Sequence, residues 1–128
     1  MFFLLLSISL YSQEIDESYS NILSQINKDK NVIKHDKIND KTIYSLEVYY
    51  LKQLHSVVSY RFDYGTNLCI GATYVYNSTH FDMVSKTLNE SYTKLNNNQW
   101  KDSNKNLKIN LKKENADVFT VTFFKSYN

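Results

Sequence analysis

Few side chains in this sequence are of types that do chemistry on their own. Cys69 is the only cysteine, so an internal disulfide is excluded, and its thiol is either a nucleophile or a small apolar group. No pair among His35, His55 and His80 has metal-ligand spacing. They fall in segments that read as a linker, a hairpin loop and a helix start, which points to three solvated rings. Asp36, Asp40, Glu47 and Asp63 could pair for general acid–base work, but nothing in their spacing fixes a distance. No catalytic residue, no metal site and no cofactor is expected.

Arg61 stands apart as the sole arginine beside 14 lysines. The chain is rich in Asn, Lys, Ile and Tyr, the residues of AT-rich codons, as expected of a low-GC bacterial genome. Where codon bias favours Lys, a single planar, five-donor guanidinium points to use of its geometry. It would serve an anionic ligand, a partner carboxylate or an internal salt bridge. The same bias accounts for part of the 11 tyrosines, so a sugar platform of Tyr49, Tyr74, Tyr76 and Trp100 is not implied by number alone. Trp100 is expected to close one end of the core.

These residues need a scaffold, and the stretch 43–76 supplies its centre. Period-two alternation places Tyr44, Leu46, Val48 and Tyr50 on one parity, followed by Val58, Tyr60, Phe62 and Tyr64, then Leu68, Ile70, Ala72, Tyr74 and Tyr76. Three strands are predicted, about 42–51, 56–64 and 67–76, with the even face as the core. Opposite residues of antiparallel strands share a face. A loop at 65–67 sets Arg61 opposite Gly71 and Phe62 opposite Ile70. A loop at 52–56 sets Glu47 opposite Arg61. The odd face then carries Glu47, Arg61, Asp63 and Thr73, with Cys69 diagonal to Arg61, where the cation could lower the thiol pKa.

A helical stripe of Ile15, Tyr19, Ile22, Leu23 and Ile26 precedes the strands, and a second, Phe81, Val84, Leu88, Tyr92 and Leu95, follows them within 78–95. Residues 27–41 read as a polar linker. Residues 99–101 suggest a short strand, and 107–112 with 118–125 a terminal hairpin. The expected fold is α+β: an antiparallel sheet of five to six strands, order α-βββ-α-(β)ββ, with two helices packed on one face. This order is similar to that of type III secretion chaperone-like and related small bacterial α+β binding domains, though the terminal helix usual there is missing.

Residues 1–10 are apolar or small, too few to span a bilayer, which takes about 20, and they match the central region of a secretory signal. Cleavage after Ser12 would leave Gln13 first, as in export signals of some Gram-negative bacteria. Residues 1–12 are therefore read as a signal peptide and 13–128 as one α+β domain, exported to the periplasm or medium, with no stable membrane anchor. The 128 residues give room for one core, and 42% of them are hydrophobic. A net charge of +2 with interleaved signs offers no basic stripe for nucleic acid. Two glycines and no proline exclude phosphate-cradling loops. What remains is a small non-enzymatic binding or accessory protein, inhibitor- or immunity-like, whose partner is another protein. A carbohydrate- or small-ligand-binding module is the alternative, and a small hydrolase the third reading.

Overall fold

The computed structural model describes residues 14–51 and 53–126; the expected signal segment, 1–12, lies outside the described residues. Helix α1 (Tyr19–Lys28) starts where the Ser18 side chain accepts the Asn21 N–H. It turns Ile22 and Ile26, one helical turn apart, into the core. Four strands follow, β1 (Val32–Asn39), β2 (Ile43–Tyr50), β3 (His55–Asp63) and β4 (Cys69–Asn77). The Asn77 side chain then accepts from the Thr79 N–H and hydroxyl, which opens a 3-10 turn (Ser78–His80) leading into α2 (Phe81–Ser91). Helix α2 buries Val84 and Leu88, again one turn apart. A second meander completes the chain: β5 (Thr93–Asn96), β6 (Gln99–Asp102), β7 (Leu107–Lys113) and β8 (Val118–Lys125).

All eight strands form one antiparallel sheet in the order β1-β2-β3-β4-β8-β7-β6-β5. The expectation of five to six strands in the order α-βββ-α-(β)ββ is thus corrected to eight in the order α-ββββ-α-ββββ, and the likeness to the secretion-chaperone order goes with it. The α+β character and the antiparallel pairing hold. The two unforeseen strands, β1 and β5, are the sheet's two edges. β1 is exposed from Ile33 to Asn39 and β5 along its whole length. An edge strand that buries almost nothing on either face has no reason to alternate, so it carries no periodic signal. For the same reason α2 stops at Ser91, and Leu95, expected on its apolar stripe, lies exposed on β5.

One face of the sheet is covered. The register places Leu46, Tyr60, Ala72, Phe123, Ile109 and Trp100 in a single row across six strands, all buried. A second row runs Val48, Val58, Tyr74, Val121 and Leu111. Helix α1 packs Tyr19 edge-on against Tyr44 and Phe62, while α2 sets Phe81 against Phe119 and its Asn89 accepts from Trp100 Nε1 at 2.9 Å. Both helices therefore lie on this face. Each aliphatic or aromatic side chain buried there contributes about 1.5–3 kcal/mol.

His55 is not the solvated loop residue the sequence suggested. It opens β3, is 2% exposed, and its ring stands edge-on to Tyr50, Tyr74 and Tyr76. Burial drives its pKa down to about 4, with the field of Asp29 working weakly the other way. The ring is neutral in the fold but takes up a proton in the unfolded chain below about pH 6.5. Between those values the unfolded state binds more protons, so the stabilisation is complete above pH 6.5 and is lost as the pH falls. Burial, then Glu17 beside it, raises the pKa of Glu14, whose contribution has the opposite sign and is lost as the pH rises. Urea unfolding at pH 7 and pH 5 should show the wild type losing about 2 kcal/mol, and His55→Phe losing much less.

Candidate functional site

Among the described residues no helix packs on the other face of the sheet. Its side chains form three rows that follow from the register. The middle row reads Asp36, Glu47, Ser59, Thr73, Thr122, Asn110, Gln99 and Asn96, one polar residue from each strand. On one side lie Lys34, Tyr49, Val57, Val75, Thr120 and Lys112. On the other lie Ser45, Arg61, Gly71, Phe124, Lys108 and Lys101. Tyr49, Val57, Val75 and Phe124 are half-buried, so apolar surface is interleaved with the polar row.

Arg61 occupies the centre of the first meander, opposite Gly71 as the alternation implied. Its guanidinium lies over that glycine. A β-carbon at residue 71 would stand 2.9 Å from Nη2, 3.2 Å from Nε and 3.1 Å from the Phe123 carbonyl. Only glycine leaves this notch open. Nη1 donates to the Thr73 hydroxyl at 2.9 Å, and Thr73 shares a 3.0 Å hydrogen bond with Thr122 across the β4–β8 seam. Burial makes the Arg61 charge costly and lowers its pKa.

The carboxylate expected beside it is not there. Glu47 faces Ser59, and Ser45 faces Arg61. The loop between β2 and β3 turns at 51–54 rather than 52–56, which slides the pairing by two residues. A two-residue slip keeps every side chain on its face, so alternation cannot detect it. Among the described residues no carboxylate reaches Arg61 within ion-pair distance. Glu47 instead accepts a long hydrogen bond from Tyr49 at 3.4 Å and stands directly opposite Asp36.

Cys69 is displaced from the expected face altogether. The register breaks between Arg61 and Phe62, leaving Ile70 as a bulge and pairing Phe62 with Cys69 rather than Ile70. The thiol therefore turns into the core, fully buried, and donates to the Gly71 carbonyl at 3.3 Å. Burial pushes its pKa up to about 12, and the nearby Arg61 only partly offsets this. Asp63 keeps the expected parity but serves the hairpin, accepting from the Thr66 N–H and hydroxyl. Trp100, Tyr74 and Tyr76 are buried, so of the aromatic residues a sugar platform would use, only Tyr49 is on the open face. His35 lies on the β1 edge and His80 at the end of the 3-10 turn.

The second meander adds what the sequence did not reveal: Thr122, Phe124, Lys108, Lys101 and Lys112. The polar parity of Thr120 and Thr122 was readable, but that β8 docks on β4 was not. The face that results carries charge at both ends as well as the guanidinium of Arg61 near its centre. Two acids, Asp36 and Glu47, stand opposite each other on β1 and β2, and two lysines, Lys101 and Lys108, on β6 and β7. Like charges directly opposite are destabilising; Lys34 Nζ, 4.0 Å from Asp36, offsets this on the acidic side, whereas among the described residues no carboxylate lies within ion-pair distance of Lys101 or Lys108.

No protein-family model, no curated protein and no solved structure matches this chain.

Two measurements test this geometry. Gly71→Ala should destabilise the protein by about 1–2 kcal/mol, and by clearly less when Arg61 is already Ala, since the two residues share one space. In the native state at pH 8, Cys69 should resist a disulfide reagent for hours and react at once in denaturant. Rapid native labelling would contradict its placement.

Proposed function

We propose that this is a small exported binding protein without enzymatic activity, and that it engages another protein through the open face of its sheet. The observation that carries the reading is a wide sheet whose described helices cover one side, with a fixed arginine near its centre that no described carboxylate pairs. Eight strands at about 4.8 Å spacing and strands about 20 Å long give a footprint of roughly 700 Å². A stable protein–protein interface buries about 800 Å² per partner. The groups that could do chemistry are dispersed: Cys69 in the core, His55 in an aromatic box, His35 on an edge. Among the described residues no cluster of His, Cys, Asp and Glu could hold a metal ion. An accessory, inhibitor-like or immunity-like role fits a domain of this size.

Export is part of the same proposal. None of the described helices is long and apolar enough to cross a membrane. The chain just beyond the expected cleavage point is stitched to the β3–β4 hairpin. Asp16 N–H donates to the Cys69 carbonyl, Cys69 N–H to the Glu17 carbonyl, and Tyr19 N–H to the Asn67 carbonyl, while Ile15 is buried. Cleavage after Ser12 would leave all of these in place.

A photo-crosslinking amino acid at Ser59 or Thr122 should trap a protein in the native host, whereas one at Ser24 or Lys86, on the helix side, should not. Equal trapping from both sides, or none from the open face, would refute the reading. Intact mass of the protein from periplasm or medium should begin at Gln13. An unprocessed chain confined to the cytoplasm would remove export.

A further inference from the structure

We infer that Arg61 in the Gly71 notch is the anchor of the open face, and that it takes a carboxylate from an extended acidic segment of the partner, laid across the strands toward Lys108 and Lys101. This rests on the open face being the interface. The notch is a built feature. Gly71 leaves the space, Thr73 holds one end of the fork, and Thr122 holds Thr73. A half-buried guanidinium fixed in this way, with no carboxylate within ion-pair distance among the described residues, is preorganised for a planar two-oxygen anion.

The row containing Arg61 sets the rest of the ligand. It continues through Gly71 and Phe124 to Lys108 and Lys101. Lys108 is three strands from Arg61, about 14 Å. An extended chain advances about 3.4 Å per residue, so acids four residues apart reach both cations from one side of the chain. The residue midway points the same way and meets Phe124, so an apolar side chain belongs there. Lys101 and Lys108 face each other without an acid between them, and a second carboxylate would relieve that repulsion. A small inorganic anion fits less well, because the face is open and a single fork, partly engaged by Thr73, offers too few donors to enclose a phosphate.

The chain's only arginine gives a single Nε–H resonance, so its occupancy can be read without ambiguity. The probe is acetyl-Glu-Ala-Leu-Ala-Glu-amide, titrated into the 15N-labelled protein. It should shift Arg61 Nε–H saturably, together with the amides of Gly71, Thr73 and Phe124. The Gln-Ala-Leu-Ala-Gln counterpart should bind at least about tenfold more weakly, and Arg61→Lys, which keeps the charge but not the fork, should cost about tenfold. Lys108→Gln should weaken the acidic peptide and leave the glutamine peptide unchanged. An unmoved Nε–H signal, equal affinity in Arg61→Lys, or phosphate saturating the site as readily as the peptide would overturn the inference. Crosslinking from Ser59 in Arg61→Gln separates the two levels. An adduct that persists undiminished shows the anchor to be wrong while the face stands. No adduct from the open face in the wild type shows the face itself to be wrong.

Discussion

The β4–β8 seam is the constraint on which the rest of the molecule depends. Each half of the chain is a helix followed by a four-stranded meander, and neither half alone places its residues in a common frame. Pairing from Gly71 opposite Phe124 to Asn77 opposite Val118 joins them into one sheet. On the covered side this brings Tyr74 beside Val121 and Tyr76 beside Phe119, stacked at 5.2 Å, so the two half-cores become one. On the open side it puts Thr73 against Thr122, and their shared hydrogen bond lies at the junction of the halves. The three open-face rows exist only because this register is fixed.

The two sides of the sheet obey different rules. The covered side is governed by volume: small Ala72 sits in a row with Tyr60 and Phe123, so bulky rings can cross it. The open side is governed by geometry at a few points. Gly71 is retained in a central strand, where glycine ordinarily weakens the sheet, because an arginine lies over it. Ile70 bulges beside it, and the bulge hides the thiol while keeping the notch open. Features that lower stability locally, a guanidinium that no described carboxylate pairs, a strand glycine and the facing Lys101 and Lys108, gather on the face away from the described helices. That asymmetry is what the proposed binding surface rests on.

Much of this was legible beforehand. The alternation of the first meander identified its core face from Tyr44 to Phe62 and from Ala72 to Tyr76, though not at Tyr64, Leu68 and Ile70 around the hairpin and bulge, and the Arg61–Gly71 juxtaposition followed from loop length and parity alone. Helix α1 and the start of α2 were readable from their apolar stripes. The Glu47–Arg61 pair was not, because parity is blind to a slip of two. Cys69 was placed on the wrong face because a bulge inserts one residue, and no local pattern marks Ile70 as that residue. His55 looked solvated because a polar ring at a strand end carries no sign of the three tyrosines that enclose it.

By itself, then, the sequence determined which side of each amphipathic strand is buried, since hydrophobic burial is written residue by residue at a period of two. It also determined that one arginine sits over one glycine. Tertiary structure alone decided how many strands there are, because β1 and β5 expose almost all their side chains and are held as strands mainly by the hydrogen bonds of β2 and β6. It alone decided that the two meanders share a face, because the β4–β8 pairing joins residues nearly fifty positions apart and has no local signature. Arg61 was visible in the sequence as an oddity of composition. What it faces, and what it lacks, was settled by register.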